Sequence, residues 1–339
     1  MTAAAIALRP PRDMALRVTL SFALAGAFAL SMLVGPAPIG PAEALSALAG
    51  KAPAATEMIV REIRLPRALL GLLVGATLGL SGAGLQGLFR NPLAEPGLIG
   101  ASSLAALGGV IAMYFGLYAA FPLALPGCAM LGALVAVTLL LLLAGRDSGA
   151  LTIILAGVAI SSLGAALISL AINLSNNLFG VTEIVFWLMG SLADRSMDHV
   201  WLTLPFMAAG WLLIGSTGRA LDALTLGDDT ARSLGVNLTR TRVMIILGTA
   251  LAVGAAVAVS GAIGFVGLVV PHLLRPLVGY EPRRLLPASA LGGAILLLLA
   301  DVGVRVIPTT AELRLGVVTA LLGVPFFLVL IFKTRREMA

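Results

Sequence analysis

GAIGFVGLVVPHLLRPLVGYEPRR, from Gly261 to Arg284, follows one apolar segment, breaks at Pro271 and ends in paired arginines before the next apolar segment. Glycines, a Pro-His pair and clustered arginines are costly inside a lipid bilayer, so their placement there asks for a functional reason. Outward from this stretch the same pattern repeats in both directions: long apolar runs, with short polar breaks between them.

The chain has 339 residues, 59% of them hydrophobic and 11% charged, and a mean hydropathy of +1.06. A bilayer core takes about 20 apolar residues per helix, and this chain offers many such runs. Soluble α/β proteins show the opposite, short apolar strands between polar loops. The pattern predicts an all-α polytopic membrane protein, with 1–339 forming a single transmembrane domain. Ten spans are expected, at approximately 15–35, 67–89, 97–118, 124–144, 151–174, 199–217, 241–260, 264–278, 287–305 and 314–332. Between the fifth and sixth, Val181–Leu192 predicts a short helix lying at the membrane surface. Arg9–Arg17 followed by Val18–Val34 has the outline of a secretory signal, but no small-residue cleavage site follows Val34. An uncleaved first helix is the expectation.

The isoelectric point of 10.4 and net charge of +6 would suggest nucleic acid in a soluble protein. Here the charges lie in breaks between apolar runs, with no basic run interleaved with aromatics, so they report orientation. With both termini cytoplasmic, fifteen of the 22 Lys and Arg residues fall inside and seven outside. Arg61, Arg64 and Arg67 crowd one outer helix entrance against that bias. The single cysteine, Cys128, excludes an internal disulfide and reads as a packing residue in an apolar span.

Val74-Gly75-Ala76 with Ser81-Gly82-Ala83 recurs as Val253-Gly254-Ala255 with Ser260-Gly261-Ala262, and each copy leads to Gly-Leu and then a proline. The copies fall in the second and seventh spans, five apart, so the repeat is expected to be inverted, a common construction in transporters. Gly71, Gly75 and Gly79 form a small-xxx-small face for close helix packing.

Enzyme signatures are missing. Gly50-Lys51 lacks the upstream glycine and the following Ser or Thr of a phosphate-binding loop. There is no HExxH or CxxC, and His199 and His272 are too few and too separated for an obvious metal cage. No catalytic residue, metal site or cofactor is expected. The energy for any transport must therefore come from elsewhere.

Three polar constellations remain. In IRLPR (Ile63–Arg67), Arg64 and Arg67 flank Pro66 at an expected helix start, where cations are unfavourable; Arg305 lies four residues beyond Asp301 on one helix face, as a structural ion pair would. An anionic partner for these arginines is the sharper reading. At the inner end of the second span Gln86, Arg90, Asn91 and Pro92 form a polar break before Glu95-Pro96-Gly97; turn and capping chemistry accounts for it, with an inner gate as the functional alternative. The longest inner loop, 218–240, contains LGDDTARSLGVN (Leu226–Asn237). Asp228 is expected to cap a short helix, with Gly235 at its C′ position. So short a helix does not persist alone, which points to a partner or to packing on the helix ends.

Together these pieces resemble the permease subunits of binding-protein-dependent ABC importers, of the type II architecture, for iron-siderophores, haem and cobalamin. The matches are IRLPR (63–67), GLQGLFRNPLAEPGLIG (84–100), WLMGSL (187–192), LGDDTARSLGV (226–236), GAIGFVGLVVPHLLR (261–275), LLPASALGGA (285–294), AD (300–301) and AELRLGVVTALLGVPFFL (311–328), in order and at family-like spacing. Two positions depart: Glu281-Pro282-Arg283 stands where members often have an acidic-His-Arg run, and Ser102-Ser103-Leu104 replaces Ser-Ser-Gly.

The resemblance implies ten helices per subunit and a homodimer around a central pathway in the bacterial inner membrane. It also implies two cytoplasmic ATPase subunits and a periplasmic binding protein as partners, with lipid around them. Arg64, Arg67 and Arg305 fall where the family's docking arginines meet glutamates of the binding protein. Leu226, Gly227, Asp228, Asp229, Ala231, Arg232, Leu234 and Gly235 fall where its coupling helices meet the ATPase. The expectation is ATP-driven inward transport of an iron chelate, haem or a ferric siderophore, by alternating access, with cobalamin as the alternative cargo. A proton-coupled secondary transporter would want acids along its pathway; Glu183, Asp301 and Glu312 are expected near the outer ends only.

Overall fold

The computed structural model describes residues 12–121, 123–145, 149–307 and 312–338. Arg9 and Arg146, both in the charge count above, lie outside the described residues. Among those described there is helix and no strand. Helix α1 spans Arg12–Leu33 and α2 spans Pro41–Leu48. Helix α3 runs continuously over Ala54–Phe89, with a π-helical stretch at Ile59–Arg64. There follow α4 (Ala101–Tyr114), α5 (Ala124–Ala144), α6 (Ala150–Leu174), α7 (Leu178–Leu188) and α8 (Met197–Gly215). The second half holds α9 (Gly218–Leu224), α10 (Asp228–Ser233), α11 (Leu238–Ser260), α12 (Val266–Leu274), α13 (Pro282–Val306) and α14 (Leu315–Met338).

Seven of these helices are long and apolar enough to cross a bilayer: α1, α3, α5, α6, α8, α11 and α13. Two of the other three expected spans are apolar but shorter, and each has a local cause. The third is broken at Gly100 (φ 77°) into a 3-10 turn at Pro96–Ile99 and α4. The eighth starts only after Phe265, held at φ 67°, and tightens into a 3-10 turn where Pro276 removes a backbone donor. The tenth is α14, whose sequence stays apolar from Leu315 to Phe332. A short helix is observed near the place expected for one, at Leu178–Leu188. Asn177 starts it early by accepting from the Phe179 and Gly180 amides at 3.1 and 3.2 Å.

Three helices make the core. The apolar windows of α3, α11 and α13 are 89%, 78% and 61% buried, against 17–28% for the other four long helices. The repeated Val-Gly-Ala…Ser-Gly-Ala motif thus lies on the two most buried helices, α3 and α11. In lipid there is no hydrophobic drive between helices, so association rests on close packing and hydrogen bonds. The contact between α3 and α13 shows this directly. A Cβ on Gly75 or Gly79 would fall on the backbone of Gly293 or Ser289, and one on Gly293 would fall on Gly75. The face Gly71-Gly75-Gly79 is therefore a packing seam, as its spacing predicts. Leu104, at the departure noted above, is buried in α4, and Gly132 of α5 makes room for its backbone.

Helix α3 also changes the reading of its own start. The expected N-terminus beside Pro66 does not exist, because the helix begins twelve residues earlier, at Ala54. The π-helical stretch absorbs the proline: the Leu65 amide reaches back to the Val60 carbonyl, five residues away. Arg64 and Arg67 consequently sit inside a helix, and the dipole objection to them disappears.

Candidate functional site

At the end of α3 remote from Arg90 the three expected arginines come together. Arg67 donates to both carboxylate oxygens of Asp301 in α13, from Nε at 3.0 and 3.1 Å and from Nη2 at 2.8 Å, and it also pairs with Glu312. Arg305 bonds Asp301 from its other side at 3.0 Å. Arg64 has no carboxylate partner among the described residues. Its guanidinium donates to the carbonyls of Met32 and Leu33 at 2.9 and 2.8 Å, and to that of Ala37. Arg305 donates to Ser31 and Val34 carbonyls at 2.9 and 2.8 Å. The last carbonyls of a helix lack intrahelical donors and carry the negative end of its dipole. Two arginines from α3 and α13 therefore cap α1. All three arginines are buried or nearly so, and Asp301 is only 1% exposed.

A groove of about 600 Å³ opens beside this cluster, lined by Glu62, Arg67, Asp194, Arg195, Arg305 and Glu312 among others. Arg64 lies behind it, not on it. Sequence reasoning missed Arg195, which sits in the loop between α7 and α8 and also lines an adjoining cavity of about 410 Å³ with Tyr118, Glu183, Phe186, His199 and Arg314. Burial pushes the Arg195 guanidinium below its usual range, with Asp194 opposing and Arg314 adding to the shift. Its Nε is held by the Val259 carbonyl. No feature of spacing distinguishes Arg195 from any other loop arginine, so no signal was available.

At the opposite end of α3, Gln86 is 2% exposed. Its amide donates to the Gly267 and Leu268 carbonyls of α12 at 3.2 and 3.4 Å, and its oxygen accepts from Arg275 at 2.5 Å. Asn91 does not join this layer; its side chain closes a local turn on the Leu93 amide at 2.9 Å. Arg90 ends the helix in the left-handed region, at φ 49°. Glu95 follows in the loop, where burial pushes its carboxyl above the usual range while a hydrogen bond from the Phe265 backbone opposes the shift.

The inner loop folds into α9 and α10. Gly227, at φ 103°, is the N-cap of α10; Asp228 is the first helical residue and not the cap. The Asp228 carboxylate is engaged elsewhere, with Arg90 at 3.1 Å and Arg242 at 3.0 Å. It thereby ties α10 to the ends of both α3 and α11. Gly235 takes the expected C′ position at φ 83°, and Ala231 is the buried residue of the helix. Asp229 and Arg232 face outward, 3.8 Å apart, and Leu226 and Leu234 are 64% and 63% exposed. The helix is thus anchored through the Asp228 carboxylate and leaves two exposed leucines beside it. Among the described residues no group of three or more His, Cys, Asp or Glu could hold a metal ion.

A model of the FecCD transport family matches residues 23–333. The chain is 41% identical over 319 residues to the vitamin B12 import system permease protein BtuC of Salmonella paratyphi A, covering 94% of this chain and 95% of that one. It is 41% identical over 318 residues to the protein of the same name from Citrobacter koseri, covering 94% of each. Among solved structures, an inward-facing conformation of a transporter assigned to the metal-chelate ABC type superposes with a TM-score of 0.82 at 34% identity. That match covers 94% of this chain and 98% of the other.

Proposed function

Because the chain belongs to the FecCD transport family, a family of membrane transport permeases and not of enzymes, we infer that it is the membrane-spanning subunit of an ATP-driven importer of cobalamin. The observation that carries the cargo is the 41% identity, across 94% of the chain, to proteins named as vitamin B12 permeases. This replaces the iron chelate expected above as the leading reading. An iron or other metal chelate stays as the second reading, supported by the 34% identical metal-chelate-type structure.

In this reading the chain crosses the inner membrane ten times with both termini in the cytoplasm, α4 and α12 serving as shorter spans and α14 as the last. The two halves form an inverted repeat centred on α3 and α11, and two copies enclose the pathway. Residues Leu226–Gly235 receive the partner ATPase, supported by the exposed Leu226 and Leu234. A substrate-binding protein docks at the groove beside Arg67 and Arg305, where Arg195 adds a third cation. Gln86 and Arg275, joined across α3 and α12, belong to the inner gate. ATP binding draws the two α9–α10 units together, and the movement reaches the core helices through Asp228 and its arginines.

Uptake of labelled cobalamin, haem and a ferric siderophore, measured side by side in a strain lacking this chain, tests the cargo. Selective loss of cobalamin uptake is expected. Selective loss of an iron source, with cobalamin uptake intact, would overturn cobalamin in favour of the second reading.

A further inference from the structure

Helices α1 and α8 both lie on the outside of the bundle, with only 17% and 28% of their apolar windows buried. Helix α1 packs on α13 and α8 packs on α11, and between them a furrow of about 530 Å³ is left open. Its floor is the central helix: Leu72, Ala76 and Leu80, one turn apart along α3. Ala290 and Ala294 of α13 keep it deep, and Leu24 and Trp211 form its two walls. Trp211 is fixed in place by a 2.9 Å hydrogen bond from its indole nitrogen to Thr77.

The furrow is apolar along its length and ends at a charge. Arg283, an exposed residue in the first turn of α13, lines its mouth. Gly218 packs against Arg283, which brings the exposed Arg219 to the same end. Glu281 pairs with Arg284 at 2.6 Å, whereas the Arg283 guanidinium makes no ion pair among the described residues; the Asp222 carboxylate accepts from the Arg283 backbone amide at 2.9 Å. From Arg283 to Ala294 the helix rises about 16 Å, close to the ~15 Å that is half of a bilayer core. An apolar slot one leaflet deep that ends at two cations, Arg283 and Arg219, with Asp222 as the carboxylate beside them, fits a phospholipid with an acyl chain and an anionic headgroup.

We propose that the furrow between α1 and α8 is a binding site for one anionic phospholipid of the leaflet on the Arg283 side, cytoplasmic in the orientation given above. The acyl chain lies on Leu72, Ala76 and Ala290, and the headgroup phosphate meets Arg283 and Arg219. Such a lipid covers Leu72, a partly exposed residue of the central helix α3.

Trp211 is a native reporter, because the chain has 3 tryptophans and Trp187→Phe with Trp201→Phe leaves it alone. The full chain is placed in nanodiscs of phosphatidylglycerol and phosphatidylcholine, with bromine on the acyl chains of one lipid at a time. Bromine quenches tryptophan on contact. Phosphatidylglycerol should compete for the site about fivefold better than its mole fraction, the effect of one arginine near a membrane surface. Arg283→Gln should lower that ratio, and Arg283→Gln with Arg219→Gln should bring it to one. Equal quenching by the two lipids in the parent, or a preference that survives the double replacement undiminished, would overturn the proposal. Quenching by neither lipid would do so too, since a second copy or another segment would then cover the furrow. Native mass spectrometry of the chain with its three tryptophans intact supplies an independent readout: Ala290→Phe, which fills the slot, should lose one retained phosphatidylglycerol, and unchanged retention would contradict the assignment.

Discussion

Arg67 and Asp301, 234 positions apart in sequence, meet through a two-donor contact in which Asp301 is 1% exposed. The pair joins α3 to α13 at one end of the same seam that Gly75, Gly79 and Gly293 close in the middle. Asp301 also holds Arg305, so one carboxylate is shared by two buried cations, and Glu312 is a second partner for Arg67.

Asp301→Asn leaves Arg67 and Arg305 short of their shared counter-charge in a buried place. Breaking such a pair from one side costs about 3–5 kcal/mol. A large drop in the thermal midpoint of the purified protein is expected. Conversion of both arginines and the aspartate to apolar residues of similar size should restore much of it.

Gly79→Leu places a side chain on the Ser289 carbonyl, where neighbouring backbone cannot yield. The expected outcome is loss of folded protein from the membrane fraction. Gly26→Leu on the exposed α1 surface, with nothing within 4 Å of its Cβ, should be tolerated.

Asp228→Arg sets a cation against Arg90 and Arg242 and should detach α10 from the ends of α3 and α11. The measurable result is ATP hydrolysis by the assembled complex without cargo movement. Exchanging the pair, Asp228→Arg with Arg242→Asp, should recover part of the coupling; Asp229→Arg, on an exposed side chain, should cost less than Asp228→Arg.

Glu95 gives a pH dependence with a defined sign. Its carboxyl is raised above the ordinary 4.5 by burial, so the folded state holds a proton that the unfolded state has released. Stability therefore falls as pH rises from the unfolded value through the folded one, and stays lower above it. Glu95→Gln should raise the thermal midpoint at neutral pH, and the gain should vanish below pH 4.5.

Glu312 competes with any outside carboxylate for Arg67. Glu312→Gln should tighten docking of an acidic binding protein, by severalfold at low salt and less at high salt. Weaker docking would argue that Glu312 itself is part of the contact surface.

Much of this architecture was legible because its signals are local. Apolar runs and their breaks located the helices, four-residue glycine spacing announced the α3–α13 seam, and Gly235 marked the end of α10. What was not legible depends on partners far away in sequence. Pro66 read as a helix start, since nothing in its neighbourhood reveals that Leu65 bonds to Val60 in a π-helical turn. Asp228 read as a cap because its two arginines come from helices on either side. Arg64 is expected to meet an anionic partner; that it also serves the last carbonyls of α1 was not legible, since every helix end has such acceptors and no sequence pattern assigns them. The cargo was the least legible, for the shared motifs do not separate cobalamin from iron chelates, and the proposal of cobalamin rests on the names of the relatives.

The most direct test of the whole account is transport by proteoliposomes carrying this chain with its ATPase, loaded with ATP and offered labelled cobalamin on its binding protein. The account predicts cobalamin accumulation that requires ATP and is unaffected by collapsing the proton gradient. Accumulation that follows the proton gradient and proceeds without ATP would contradict it.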